Sequence, residues 1–158
     1  TVLPADAGVT AVGHANGYLV LGFDDGSLQL VAPTRRDQAP SFAFEGAPPS
    51  AVTRIVEGPD GTVVAGYAGG QLRMWALKNG VLLDSAKLHG PVVHLMVSGL
   101  TLYAATELGD YLVLDLAALE RTYCDLLADV WREVRVSWED GLPVMKEPPN
   151  RHRCWRLN

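Results

Sequence analysis

The 158-residue chain repeats one β-rich pattern three times, at intervals of about forty residues. In each copy a short apolar segment leads into a glycine-containing turn, and a second segment of alternating character follows the turn. Glycine suits such a turn because it adopts positive φ at little energetic cost, so the chain can close a tight hairpin. The three copies are residues 17–31, 61–75 and 102–114, with turn glycines Gly26, Gly70 and Gly109.

Further apolar segments flank these hairpins. The segments that precede them are Val9–Val12, Val52–Ile55 and Val92–Leu95. Two more, Ser41–Phe44 and Val81–Ser85, follow the first and second hairpins and are predicted to be fourth strands. A four-stranded antiparallel meander that recurs every 40–45 residues or so is typical of a propeller blade. We therefore predict a mainly β fold with about three antiparallel four-stranded blades; an antiparallel sandwich is the alternative.

Three short motifs within the repeats resemble WD40-type β-propeller blades. Trp75 stands at the position of the family's tryptophan in the third strand of a blade, and Asp25-Gly26 resembles its Asp-Gly turn. His89-Gly90 precedes the third blade and resembles the family's Gly-His pair in reversed order. The resemblance covers about residues 8–115 and implies a propeller built from WD40-like repeats.

The repeats also depart from the family's pattern. In WD40 blades a Trp, a Ser or Thr, a His and an Asp often hydrogen-bond to one another, and no repeat of this chain holds all four. The first repeat combines Asp25 with Val31 at the tryptophan position, the second combines Trp75 with Gly69 at the aspartate position, and the third combines His89 and Thr106 with Leu114 at the tryptophan position.

Three blades do not complete a propeller, which typically has about 4–8 of them. An incomplete set leaves two open edges, and open edges invite pairing with other strands. The chain is expected to be the C-terminal part of a longer protein, because it begins at Thr1 and Thr1–Gly8 could end an earlier blade. Two copies joined as three plus three blades, or a C-terminal segment that covers the open edge, are the alternatives.

The pattern changes after Asp115. Apolar residues at three- and four-residue steps predict an amphipathic helix over roughly Ala117–Glu133, with Asp115 as its N-cap. The segments Val134–Trp138 and Leu142–Met145 then predict a hairpin. We therefore divide the chain into WD40-like blades at residues 1–116 and a C-terminal helix, hairpin and basic tail at residues 117–158, packed on the blades.

Charge and cysteine content restrict the class of protein. The net charge is −5 and the basic residues form no extended face, so no nucleic-acid partner is expected. No apolar run approaches the ~18 residues of a membrane span, so no membrane partner is expected either. Cys124 and Cys154 allow one disulfide, but two cysteines are too few for a disulfide framework or a typical metal site. They are therefore predicted to be reduced thiols of a cytoplasmic protein.

The sequence contains no catalytic motif that we can identify, and no cofactor is expected. The WD40 resemblance implies a non-catalytic scaffold whose partner is another protein, or additional blades from the same or another chain, with a homodimer possible. The alternative is a propeller that binds a small ligand or acts as a hydrolase. The candidate partner-binding residues are Asp24, Tyr67 and Glu107 near the turn glycines, His89 in the loop before the third blade, and Trp155 in the tail.

Overall fold

The computed structural model describes residues 8–32, 42–145 and 153–155. These residues form twelve β-strands, one α-helix and two short 3-10 helices. The chain divides into two compact units, Thr1–Leu116 and Ala117–Asn158. Each unit is described separately below.

The first unit consists of three antiparallel sheets in which consecutive strands are neighbours. The second sheet has the four predicted strands, and the first and third have three strands each among the described residues. The sheets are not closed, which is consistent with part of a propeller and confirms the predicted mainly β fold. The strands are β1 (Val9–Ala15), β2 (Tyr18–Phe23) and β3 (Leu28–Val31); β4 (Val52–Gly58), β5 (Thr62–Tyr67), β6 (Gln71–Ala76) and β7 (Leu82–Lys87); β8 (Val92–Ser98), β9 (Thr101–Thr106) and β10 (Tyr111–Asp115).

Tight turns with positive φ connect the strands of each sheet. Asn16 and Gly17 link β1 to β2 with φ values of 48° and 80°, and Asp60 and Gly61 link β4 to β5 in the same left-handed region. Two successive residues with positive φ define the turn type whose twist suits a two-residue hairpin, and Asn-Gly and Asp-Gly are its preferred sequences. The predicted turn glycines likewise lie between the second and third strands of the three sheets, with φ values of 88°, 82° and 85° at Gly26, Gly70 and Gly109. The predicted hairpins are therefore confirmed.

Neighbouring sheets pack through their first strands, since β1 contacts β4 and β4 contacts β8. Glycine makes this close approach possible. A Cβ atom added at Gly22 would lie 2.6 Å from Cβ of Val52, and one added at Gly66 would lie 2.6 Å from Cγ1 of Val92. Both distances are far below van der Waals contact, so the valine of each following sheet occupies the space that a side chain would need. We call this contact the glycine–valine contact.

The core of the second sheet corrects one prediction. Phe42–Phe44 is not a strand, and Ser41 lies outside the described residues. Instead Phe44 packs edge-on against the fully buried Trp75, with ring centroids 5.5 Å apart, and the indole Nε1 of Trp75 donates to the carbonyl of Glu45 at 2.7 Å. The segment therefore serves the second sheet rather than pairing with β3. The other predicted fourth strand, Val81–Ser85, is confirmed as β7.

The C-terminal unit contains a 3-10 helix at Ala117–Glu120, the helix α1 at Tyr123–Glu133 and a hairpin of β11 (Val136–Glu139) and β12 (Leu142–Met145). The N-cap of α1 is Thr122, so the prediction of Asp115 is wrong. Thr122 has extended backbone angles, and its hydroxyl oxygen accepts a hydrogen bond from the N–H of Asp125 at 3.2 Å. Within the described residues, no helix has the length and apolar character that crossing a membrane requires.

A disulfide joins Cys124 in α1 to Cys154 in the second 3-10 helix, Arg153–Trp155. The prediction of reduced thiols is therefore wrong. The two Cα atoms lie 5.0 Å apart, within the usual range for a disulfide, although 30 positions separate the residues in the sequence. Sequence spacing gives no indication of this proximity. The guanidinium of Arg153 also stacks over the ring of Tyr123 at 5.2 Å.

Replacing Thr53 by Val is expected to lower the free energy of unfolding by about 1 kcal/mol, because a hydrogen bond between sheets is lost. The Thr53 hydroxyl lies 2.6 Å from the carbonyl of Val92 in the third sheet and 3.0 Å from that of Gly66. Urea denaturation measures the change. The matched control is Thr10→Val, since the more exposed Thr10 hydroxyl donates to Gly22 at 3.3 Å within its own sheet. Equal losses for the two variants would contradict a special role for Thr53.

Reduction of the disulfide is expected to destabilise the C-terminal unit by about 3–4 kcal/mol, because a closed loop of this length restricts the unfolded chain. Amide hydrogen exchange in α1, measured with and without reductant, reports the change. The variant that carries both Cys124→Ser and Cys154→Ser serves as control, and reductant should leave its exchange unaltered. Free thiols that react with an alkylating agent in the unreduced wild type would show that the bond does not form.

Candidate interaction surfaces

The turns between the second and third strands of each sheet are held by one repeated hydrogen bond. In all three sheets, the residue that follows the second strand donates its backbone N–H to the carbonyl of the residue that precedes the first strand. These bonds fix each turn against the start of its own sheet. They run from Asp24 to Gly8 at 3.0 Å, from Ala68 to Ala51 at 2.9 Å, and from Glu107 to Pro91 at 2.9 Å.

In the second sheet, the loop before the first strand and the loop after the last strand also hydrogen-bond to this turn. Leu88 donates its N–H to the carbonyl of Gly70 at 2.9 Å, and the hydroxyl of Ser50 accepts from the N–H of Gly69 at 2.9 Å. Turns and loops therefore form one continuous border along the three sheets. We call residues 24–27, 68–70, 88–91 and 107–110 the rim.

Three of the predicted partner-binding residues lie on this rim with exposed side chains: Asp24, Glu107 and His89. Asp24 belongs to the turn of the first sheet, whereas His89 and Glu107 both belong to the border of the third. The rim therefore brings the last two into one neighbourhood and places Asp24 two sheets away.

Tyr67, the fourth predicted partner-binding residue near these turns, does not lie at the surface, and a partner-binding role for it stays a prediction. The side chain is fully buried, and its hydroxyl donates to the carbonyl of Gly26 at 3.3 Å. Burial raises the pKa of the Tyr67 phenol well above its ordinary value, since the charged form would lose its water. Tyr67 therefore connects the second sheet to the turn of the first sheet through a buried hydrogen bond, and it helps to hold that part of the rim in place.

Trp155 lies in the 3-10 helix Arg153–Trp155, close to the disulfide. Its side chain is outside the described part of the structure. A partner-binding role for Trp155 stays a prediction.

The third sheet holds a hydrogen-bonded group that joins His89, Asp110 and Thr106. The backbone N–H of His89 donates to Oδ2 of Asp110 at 2.9 Å, and the ring Nδ1 of His89 lies 3.1 Å from the same oxygen. The N–H of Asp110 in turn donates to the Thr106 hydroxyl at 3.1 Å. These bonds from His89 lower the pKa of the Asp110 carboxyl. The group resembles three of the four members of the WD40 hydrogen-bonding set.

Sequence reasoning did not identify Asp110 as a member of this group. The available signal was a carboxylate directly after the turn glycine Gly109, four residues beyond Thr106. Asp is common in turns because its side chain hydrogen-bonds to nearby backbone groups. A turn position therefore gave no reason to expect a contact between Asp110 and His89.

The third sheet also presents an apolar face. Residues that pair directly across antiparallel strands have their side chains on the same face. Two such rows run across the sheet and line an open groove of about 390 Å³. The first row is Met96, Tyr103 and Val113, and the second is His94, Ala105 and Tyr111. Sequence reasoning missed this face, because alternation in a strand cannot show whether its apolar side is covered.

The packing and order of the three antiparallel sheets are consistent with part of a β-propeller. No protein-family model matches the chain, and no curated protein matches it. Among solved structures, it is similar to the computationally designed Ika8 protein, with 22% identity over 68% of this chain and 33% of that chain, at a TM-score of 0.59. It is also similar to a chain of the Mitotic Checkpoint Complex, with 14% identity over 73% of this chain and 36% of that chain, at a TM-score of 0.63.

These likenesses show the fold alone, because the identities are low. The chain spans about a third of the length of each of these two structures. Together with the antiparallel sheets, they are compatible with WD40-like repeats.

The Asp110 carboxyl is expected to titrate below its ordinary pKa, so its contact with His89 is present at neutral pH and is lost as the pH falls through that lowered value. His89→Ala should raise the pKa of Asp110 only in part, since the backbone N–H of residue 89 still donates. Carboxyl resonances followed by NMR across acidic pH measure both values.

Asp25 provides the internal control for this titration. Its pKa is lowered by hydrogen bonds from Ser27 in its own turn, so His89→Ala should leave it unchanged. An Asp110 that titrates at its ordinary value in the wild type would contradict the hydrogen-bonded group.

Proposed function

We propose that this chain is a non-catalytic protein-binding scaffold that contributes three blades to a larger propeller. The observation that carries the proposal is the rim, on which hydrogen-bonded turns hold exposed side chains in fixed positions. Binding residues concentrate on loops that a rigid scaffold positions. One of the similar structures is the Mitotic Checkpoint Complex, and similarity to a chain of a complex is in line with a role in protein assembly. The expectation that the chain is the C-terminal part of a longer protein stays a prediction.

The charge of the rim favours a partner with a basic segment. Asp24, Asp25, Glu107 and Asp110 place four carboxylates on it. The pKa values of Asp25 and Asp110 are lowered by hydrogen bonds from Ser27 and His89, so both carboxylates keep their charge in mildly acidic solution. The ammonium of Lys87, next to the rim, already donates to the carbonyl of Gly69. A cationic peptide that binds the rim would therefore contact a mainly negative surface.

Selection of peptides from a phage-displayed random library by the immobilised chain tests this proposal. The wild type is expected to enrich peptides rich in Lys and Arg, and raised salt should weaken their binding because it screens exposed charges. A variant with Asp24→Asn, Asp25→Asn and Glu107→Gln should lose the enrichment.

A matched variant removes three carboxylates from the C-terminal unit instead, by Glu120→Gln, Glu133→Gln and Asp140→Asn. It should enrich the same basic peptides as the wild type. Enrichment that survives in the rim variant, or that vanishes in the matched variant, would contradict binding through the rim.

The alternative function, a small-ligand-binding or hydrolytic propeller, has no specific observation in its favour. Over residues 8–32, 42–145 and 153–155, no group of three or more His, Cys, Asp or Glu side chains is placed to hold a metal ion. Calorimetry with divalent metals and a panel of hydrolase substrates distinguishes the two functions. Turnover of any substrate would replace the scaffold proposal by the enzymatic one.

The disulfide bears on the cellular location. Disulfides persist mainly in oxidising compartments and are rare in the cytosol. The Cys124–Cys154 bond therefore does not favour the cytoplasmic location expected from the cysteine count, and that location stays a prediction.

A further inference from the structure

In the first two sheets of the first unit, one face is covered by the sheet that follows. The repeat makes positions equivalent, so the central pair of this face is Val20 with Leu30 in the first sheet and Val64 with Met74 in the second. All four side chains are buried. Covering this face is therefore the normal state of a blade in this protein.

Among the described residues, no sheet covers the corresponding face of the third sheet. The equivalent central pair is Tyr103 with Val113, and these side chains are 41% and 54% exposed. Tyr111 is 73% exposed, although its equivalents Leu28 and Leu72 are 8% and 3% exposed. Positions that are buried in the first two sheets therefore carry large apolar side chains that are exposed to solvent in the third sheet.

In the first sheet, the exposed group is the valine that elsewhere packs against the preceding sheet. In the second and third sheets, Val52 and Val92 make the glycine–valine contact with the preceding sheet and are fully buried. The equivalent residue of the first sheet is Val9, which is 50% exposed, and Val12 beside it is also exposed. The first sheet therefore presents a valine that covers nothing among the described residues.

We propose that the open face of the third sheet is covered by the first sheet of a second copy of this chain. One chain carries both halves of the contact: Val9 and Val12 have the positions of residues that cover, and the rows of Tyr103 and Tyr111 have the positions that are covered. Such a contact joins unlike surfaces, so it is head-to-tail. Two copies joined in this way at both ends make a closed ring of six blades, which is within the usual range of about 4–8.

Ala105 sets the strength of this contact. It stands at the position of Gly22 and Gly66, where an added Cβ would lie 2.6 Å from the valine of the next sheet. The methyl of Ala105 therefore holds Val9 of the second copy further away than the internal contacts allow. The contact between copies is therefore weaker than the contacts between sheets of one chain. The two copies dissociate and reassociate, while the sheets within each chain stay packed.

Sedimentation analysis of the full chain over a range of concentrations tests the proposal. The wild type is expected to approach twice the 17.0 kDa monomer mass. Tyr103→Glu and, separately, Val9→Glu should each yield monomers, because each places a charge in one half of the contact. Ala105→Gly should lower the dimer Kd about tenfold, since it relieves overpacking. A wild type that stays monomeric, or that assembles without limit, overturns the closed dimer.

Mixing the two monomeric variants tests the head-to-tail geometry directly. The Val9→Glu chain keeps an intact third sheet and the Tyr103→Glu chain keeps an intact first sheet, so the mixture should form a one-to-one dimer. Recovery of no dimer from the mixture overturns the proposal, provided that circular dichroism shows both variants folded.

Leu83→Glu is the control for surface charge, because Leu83 is an exposed apolar residue on β7 of the second sheet and lies outside both halves of the contact. It should dimerise like the wild type. None of the residues substituted here belongs to the rim, so a monomeric result would leave the proposed binding of basic segments intact, and a failed peptide selection would leave the dimer intact.

Discussion

The structure of the first unit depends on the glycine–valine contact between neighbouring sheets. Gly22 and Gly66 have no side chain, so Val52 and Val92 reach the backbone of the preceding sheet. This close approach brings the carbonyl of Val92 within reach of the Thr53 hydroxyl, and it buries the apolar faces of the first two sheets. A larger residue at either glycine would separate the sheets and expose both sets of groups.

The contact also explains why the rim is continuous. Once the sheets are close, the loop entering each sheet passes directly over the turn of the one before it. A Cβ atom at Gly70 would lie 2.3 Å from the carbonyl oxygen of Leu88, and Gly70 adopts a φ of 82°. The turn glycines of the first two sheets thus serve two purposes, since they allow the turn and admit the loop. Gly109, in the third sheet, has open space instead.

Much of the fold could be predicted from the sequence because it depends on local signals. Asn16-Gly17 and Asp60-Gly61 encode their turns through φ alone, and alternating apolar residues encode the strands between them. Features that depend on contacts between distant residues could not be predicted. The sequence around Phe44 predicts a strand, because it does not show that Trp75 packs against this ring. The sequence around Tyr67 predicts a residue near a turn, because it does not show that the hydroxyl reaches Gly26 of the first sheet.

The candidate surfaces also contain parts that local sequence patterns predict and parts that depend on contacts between distant residues. Asp24 and Glu107 were found because each lies two residues before a turn glycine, a purely local relation. The apolar face of the third sheet depends on a covering sheet that no local pattern reports. The Cys124–Cys154 pair likewise joins elements 30 positions apart, which spacing alone could not reveal.

The disulfide has one consequence for how this chain responds to cleavage. It encloses the whole β11–β12 hairpin, including the exposed turn at Asp140 and Gly141, in a covalent loop. Exposed turns of this kind are preferred sites of proteolytic nicking. A protease that cuts there produces two fragments that remain one molecule, and the C-terminal fragment leaves only after a reductant opens the bond. In an oxidising medium the terminus is therefore retained after damage, and in a reducing medium it is shed.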